Sequence, residues 1–300
     1  MRSRRRCGLS TRPSSSNGPR PPSPNRAPRP ADGVEVATSF LSRRKRFERV
    51  GSTNDVVRGW LAEGTPEVCV AIADEQTAGR GRSGRTWTAP PGAGLLLSLG
   101  FRPTWLAPDR VWQLAATASL AMAEAAEEVA DLVDRSIRLK WPNDLVVADG
   151  ATVRKLGGVL GETDGLGSDD PRVVVGIGLN ADWPAVDFPA DLAPAMTSLR
   201  ALTDDRPVDI GALVDAFLAR LETRIDALRR ARFEAVEWSD RQVTTGRQVD
   251  LVRPDETVER VAARGVDPAT GALIVADQGS PDDERSVFVG EIRNVRLAGV

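Results

Sequence analysis

The sequence predicts a mixed α/β fold: a main layer of apolar strands with a few helices against it, followed by a small all-β module. Three observations predict it. Short apolar runs bounded by turn residues recur between Phe40 and Asn180. Only two long segments keep a helical stripe, too few for regular βαβ alternation. After Trp238 the pattern changes to short strands separated by polar turns.

Taken in order, FERVGSTNDVVRGWLAEG reads as a short strand and then a helix, with Ser52 or Thr53 as the cap and Asp55 in its first turn. VCVAIADEQ and GAGLLLSLGF read as buried strands flanking an arginine-rich loop. In DRVWQLAATASLAMAEAAEEVADL, Val111, Leu114, Ala118, Met122, Ala125, Val129 and Leu132 form one stripe of a long helix. IRLKWPNDLVV, KLGGVLGE and RVVVGIGLNAD are further strands, the last ending at Asn180. VDIGALVDAFLARLETRIDAL is the second long helix, packing through Ile210, Leu213, Phe217, Leu221, Ile225 and Leu228. The closing module is read as strands QVDLV, TVERVAARGVD, GALIVAD and SVFVGEIRNVRL. Gly246 and Gly271 sit at its turns, and GSPDDER forms an exposed acidic turn. The expected division is a Pro/Arg/Ser-rich disordered tail (1–33), a main domain (40–236) and a β module (238–300).

Composition excludes several chemistries. The 300 residues include no histidine, no tyrosine and two cysteines. Histidine-based triads, histidine-ligated zinc and thiolate zinc clusters are therefore ruled out. Two cysteines make no disulfide scaffold, which fits a cytoplasmic setting, and no apolar run is long enough to cross a membrane. The net charge of -2 hides an asymmetry. Residues 1–30 hold eight arginines and no acids, which leaves 32 basic against 42 acidic residues in 31–300, a net of -10. Nucleic acid is not the partner that an acidic body suggests.

GRGRSGRTW at 79–87 is the most chemically loaded stretch. Gly79, Gly81 and Gly84 allow tight turns, and Arg80, Arg82 and Arg85 offer forked donors to phosphate or carboxylate. The loop contains no acid, so alone it should repel itself and move, and over an anion it should order. It lacks the GxxxxGK[ST] of a P-loop. Read alone, it is equally an exposed basic loop, with Trp87 either a core aromatic or a stacking surface.

QTAGRGRSGRTWTAPPGAGLLLSL resembles the signature of biotin protein ligases, and STN (52–54), KWPND (140–144), KLGGVLGE (155–162) and GIGLN (176–180) follow in that family's order and spacing. The likeness covers about residues 45–295 and resembles the monofunctional type without an amino-terminal helix-turn-helix. It implies a class II aminoacyl-tRNA synthetase-like mixed sheet with helices, plus an SH3-like β-barrel. Ser83, Thr86 and Ala89 depart from residues common in the family; they alter loop charge and shape rather than its central groups.

Roles implied by the resemblance carry over by position. Ser52, Thr53, Asn54, Gln76, Gly79, Arg80, Arg82, Trp87, Lys155, Gly157 and Gly158 match the biotin side. Arg82, Arg85, Trp87, Lys140, Asn143, Asp144 and Asn180 match the ATP side. Arg80, Arg82, Asp144 and Lys155 are the implied catalytic group, with Asp144 also the candidate ligand for Mg²⁺. Taken without the motif, Ser52 and Thr53 are a plain helix cap, Asp144 a turn residue, and Gly157–Gly158 a bulge or tight packing. The implied activity forms biotinyl-5'-AMP from biotin and ATP, then transfers biotin to a lysine of a biotin carboxyl carrier protein of an acyl-CoA carboxylase. A lipoate–protein ligase is the alternative within the same fold, and a biotin-responsive regulator the alternative outside catalysis. A monomer or weak homodimer is implied.

Overall fold

The computed structural model describes residues 38–133, 136–150, 152–277 and 280–296; the expectation for residues 1–33 lies outside them. The described residues form one compact unit built on two sheets. The larger contains β1 (Arg43–Val50), β2 (Cys69–Gln76), β3 (Gly94–Phe101), β4 (Ile137–Lys140), β5 (Asp144–Asp149), β6 (Thr152–Asp164) and β7 (Arg172–Asn180). Its order is β1-β2-β3-β7-β6-β5-β4. Only β1 and β2 run parallel; every other neighbour is antiparallel. This is the mixed sheet that the sequence predicts.

The run LLLSLGF is apolar except for Ser98 because β3 lies inside the sheet and is buried along its whole length. Helix α1 (Thr53–Ala62) covers one face, packing Val57, Trp60 and Leu61 against Cys69, Ala71 and Val174. Burial raises the Cys69 thiol to about 11, so it is a core thiol rather than a nucleophile.

Helices α2 (Trp112–Val129) and α4 (Ile210–Arg229) pack together over the opposite side. Thirteen of the eighteen residues of α2 are buried, so the narrow stripe expected for it widens to most of the helix. Its many alanines permit this: they let a sheet approach on one side and α4 on another. Helix α4 keeps a one-sided pattern and is capped by Asp209, whose Oδ1 accepts from Gly211 N (2.8 Å) and Ala212 N (3.1 Å). Between them in sequence lies the single turn α3 (Leu199–Leu202).

Short helix α5 (Ala235–Asp240) spans the expected 236/238 boundary. Its Trp238 packs on Trp112 of α2, with ring centroids 5.1 Å apart. Just beyond, Arg241 is buried against Glu127 of α2, donating to both carboxylate oxygens (2.9 and 3.0 Å) and to Ile137 O (2.9 Å). The chain then runs beside β4: Leu139 N donates to Arg241 O and Val243 N to Leu139 O, both at 2.8 Å.

The second sheet is antiparallel, ordered β11-β10-β9-β8-β12, from β8 (Arg247–Val252), β9 (Val258–Val266), β10 (Leu273–Asp277), β11 (Ser280–Val287) and β12 (Glu291–Arg296). Gly246 and Gly271, both with φ of +76°, make turns as expected. One expectation is corrected. Ser280–Arg285 belongs to β11 rather than to an acidic turn, and SVFVGEIRNVRL is broken at Phe288–Gly290 into the end of β11 and β12. Backbone pairing with β10 carries the strand through Asp283 and Glu284, and Arg285 pairs with Glu259 of β9 at 2.5 Å.

Candidate functional site

A cavity of about 340 Å³ lies against β6 and β7 at the start of α1. Every residue singled out from the motifs lines it except Gly79 and Gly157. A side chain at Gly79 would collide with the Trp87 backbone, and one at Gly157 would meet Gly178 O at 2.6 Å and Leu179 Cδ1 at 2.7 Å. Gly157 is thus a packing residue of the sheet, beside the β5–β6 register shift.

At one end, Ser52, Thr53 and Asn54 are buried. Ser52 holds the cap position of α1 with extended backbone, but its side chain caps nothing and lines the cavity instead. Gln76 Oε1 accepts from Thr53 N at 2.7 Å and lies 3.0 Å from the Thr53 hydroxyl. Ser98, wholly buried on β3, sits 2.7 Å from Thr53 Oγ1 and 2.5 Å from Asn54 Oδ1. Asn54 Nδ2 donates to Glu162 Oε2 at 2.6 Å. Gly176 admits this arrangement, because a side chain there would strike the Asn54 amide.

The arginine-rich loop closes over the cavity as a small hairpin. Trp87 N donates to Gly79 O (2.9 Å), Gly81 N to Arg85 O (2.7 Å), and Arg82–Gly84 make a 3-10 turn. Arg80 and Arg85 have acidic partners on other elements, contrary to the self-repelling loop expected from local sequence. Arg80 forms a two-pronged pair with Asp55 (2.8 and 2.7 Å) and reaches Glu162 at 3.4 Å. The hydrogen bond to Asp55 holds the Arg80 pKa above its ordinary value and that of Asp55 below its own. Arg85 pairs with Glu291, and Arg82 donates to Gly290 O at 3.2 Å, both at the start of β12. Burial keeps the Arg82 guanidinium below its usual pKa, with Glu291 and Asp144 opposing the shift.

Opposite the loop, the KWPND turn brings Lys140 and Asp144 together, and β6 adds Lys155. Asp144 is largely but not fully buried, its side chain 12% exposed, with Oδ1 2.6 Å from Lys155 Nζ and Oδ2 3.1 Å from Lys140 Nζ. Burial pushes the Asp144 pKa up, but the charges of Lys155 and Lys140 outweigh it, and the carboxyl falls below its ordinary range. Lys140 Nζ also donates to Ile292 O at 3.1 Å. The Lys155 backbone is clamped by the segment after β7: Lys155 N donates to Ala195 O (2.7 Å) and Thr197 N to Lys155 O (2.8 Å). Asn180 Nδ2 holds that segment through Thr197 O at 2.9 Å. Asn143 Nδ2 fixes the turn by donating to Val159 O at 2.9 Å.

Trp87 forms a wall between the two ends. Its indole lies over Gly178, where a side chain would come within 2.5 Å, and Lys155 Nζ lies 5.6 Å from its ring centroid. The Trp87 Nε1 donor is buried without a protein partner among the described residues, as expected of a group that meets a ligand. Trp183, Leu192, Ala195 and Met196 complete an apolar far wall.

The residues do not build a metal site of their own. Among the described residues, no group of three or more acidic or thiol side chains is placed to hold an ion, and both Asp144 oxygens already face ammonium groups. The metal role expected for Asp144 has no support in this donor set.

Sequence reasoning missed Ser98, Glu162, Asp55, Glu291 and the Trp183–Met196 wall as parts of the site. Ser98 did leave a signal, the one hydroxyl in an otherwise apolar strand. Glu162 stood inside a recognised motif without a role, and Glu291 inside a stretch read only as a strand. The wall carries no motif.

The model of the biotin/lipoate A/B protein ligase family matches residues 46–180. The biotin–[acetyl-CoA-carboxylase] ligase of Mycobacterium tuberculosis is 34% identical over 209 residues, covering 69% of this chain and 73% of that protein. A bifunctional ligase/repressor of Bacillus subtilis is 31% identical over 175 residues, 58% of this chain and 51% of that one. Among solved structures, the biotin protein ligase of Aquifex aeolicus in complex with biotin and ATP superposes with a TM-score of 0.67 at 24% identity, covering 83% of this chain and 97% of that one. By this likeness in sequence and fold, the chain belongs to the biotin protein ligase family.

Proposed function

We propose that this chain is an ATP-dependent biotin–protein ligase that makes biotinyl-5'-AMP and passes the biotinyl group to a lysine of a biotin carboxyl carrier protein. The carrying observation is one cavity with a neutral hydrogen-bonding end at Thr53 and Gln76, backed by buried Ser98, and a cationic end at Lys140, Lys155 and Arg82. The first suits a ureido ring; the second suits a carboxylate meeting a polyphosphate.

In the first step the biotin carboxylate attacks the α-phosphorus of ATP and pyrophosphate leaves. Two anions must approach, and Lys155, Arg80 and Arg82 offset their repulsion while the clamped backbone of Lys155 keeps its ammonium in place. Mg²⁺ enters as part of the nucleotide substrate, bound to its phosphates. Trp87 and Asn180 line the nucleotide end, with Arg85 at its rim. In the second step the neutral amine of the carrier lysine attacks the acyl carbon, the bond from that carbon to the phosphate oxygen breaks with AMP as the leaving group, and the proton released from nitrogen passes to solvent water. A carboxyl with a depressed pKa is a weak base, so Asp144 orients Lys140 and Lys155 rather than accepting that proton.

The loop shelters the mixed anhydride from water. Incubation with radiolabelled biotin, MgATP and a biotin carrier domain tests the reading, with lipoate as the control acid. Label on the carrier that requires Lys155 is expected; label from lipoate alone would overturn it. Arg82→Ala should still make adenylate but release it faster in a chase assay.

A further inference from the structure

Between Thr53 and the loop runs a chain of side chains, Thr53, Ser98, Asn54, Glu162 and Arg80, of which the reaction above assigns no role to Asn54 or Glu162. We propose that Ser98, Asn54 and Glu162 are positioning residues that couple the ligand bound at Thr53 and Gln76 to Arg80 on the loop. The proposal rests on the reading of this cavity as the biotin site.

Proton placement gives the chain a direction. A carboxylate can only accept, so the Asn54 amide must turn Nδ2 towards Glu162 (2.6 Å), which leaves Oδ1 towards Ser98 (2.5 Å). An amide oxygen cannot donate, so the Ser98 proton is committed to Asn54. The 2.7 Å Thr53–Ser98 contact therefore needs the Thr53 proton. That proton has a second claimant, Gln76 Oε1, at 3.0 Å. Thr53 is the branch point. When its proton faces Gln76, the Thr53 and Ser98 oxygens meet with no proton between them. A ligand N–H that donates to Gln76 Oε1 frees the Thr53 proton for Ser98. Every member then donates forward, from Thr53 to Ser98 to Asn54 to Glu162, and bonds aligned in this way strengthen one another.

The chain ends on a charge. Glu162 accepts from Asn54, pairs with Arg58 at 2.9 Å and reaches Arg80 at 3.4 Å. Asp55, next to Asn54 in sequence, holds the other side of the Arg80 guanidinium. The loop arginine is thus anchored by the same turn of α1 that contacts the ring, and its position is set before the nucleotide arrives.

A double-mutant cycle on the full chain tests this, with biotin binding measured by calorimetry in the absence of ATP. Glu162→Gln keeps size and removes charge at a partly exposed position; Arg80→Ala removes the anchored group. Each should weaken biotin binding about tenfold, in line with a hydrogen bond to a charged group. The double variant should be no weaker than the worse single, because both break one coupling. Ser98→Ala should give a similar loss and abolish the extra effect of Glu162→Gln; the first cycle decides the matter if that buried change impairs folding. Additive losses, or unchanged affinity in Glu162→Gln, would overturn the coupling while leaving the biotin site intact. Wild-type protein that takes up no biotin would overturn the site reading and the coupling together.

Discussion

The two ends of the cavity are built on opposite principles. The end at Thr53 is neutral and buried: Thr53, Ser98 and Asn54 are satisfied chiefly by one another and by Gln76. The end at the arginine loop and Asp144 is charged, and most of its cations are paired with an acid: Lys140 and Lys155 with Asp144, Arg80 with Asp55 and Glu162, Arg85 with Glu291. A neutral network fixes geometry, because an unpaired polar group in a dry pocket is costly. Paired charges instead give a site that an incoming anion must compete for, which keeps the cationic groups placed without leaving them bare.

Four changes would break or sharpen this contrast, in descending order of effect. Lys155→Ala should cut biotin-dependent ATP–pyrophosphate exchange by about 10²–10³-fold, the scale of losing one electrostatic stabiliser. A loss of less than about tenfold would mean the charged end does not carry the chemistry. Asp144→Asn comes next. It strands two ammonium groups and should destabilise the fold by about 3 kcal/mol, the low end for a buried pair because Lys155 is partly exposed. The Asp144 pKa is lowered in the folded state, so its contribution is complete at neutral pH. It should disappear only as pH falls below about 4 and through the folded-state value. Urea melts of both proteins across that window check the sign; a gap that widened on acidification would contradict it.

Gly178→Ala should push against the Trp87 indole and, at about 1–3 kcal/mol of overpacking, weaken adenylate binding by about 5–150-fold. Quenching of Trp87 fluorescence by adenylate would report it. The smallest effect is expected from Glu291→Gln. Its partner Arg85 is largely exposed, and such pairs contribute at most about 1 kcal/mol. Adenylate retention that fell as far as in Arg82→Ala would show that the second sheet, rather than the loop itself, controls closure.

Much of this was legible in the sequence because periodicity reports burial. The apolar run of β3, the stripe of α4 and the end of β7 at Asn180 all follow from it. The motifs also brought most of the site residues to one cavity. What escaped depends on partners distant in the chain. The loop arginines read as unneutralised because Asp55, Glu162 and Glu291 lie on other elements. Strand β11 read as a turn because backbone pairing makes few demands on side-chain polarity at a sheet border. Gly157 sat inside a motif that speaks of ligands, yet its neighbour across the strand explains it.

The run past Arg241 beside β4 has a consequence for handling the protein. In the large sheet β4 is a border strand, and the chain's own exit towards the second sheet occupies its outward hydrogen-bonding groups through Arg241 and Val243. A truncation made before Arg241 to obtain a minimal enzyme would strip that cover and leave bare peptide groups able to template stacking between molecules. Such a fragment would precipitate for reasons unrelated to catalysis, and its inactivity would say little about what the β module contributes to turnover.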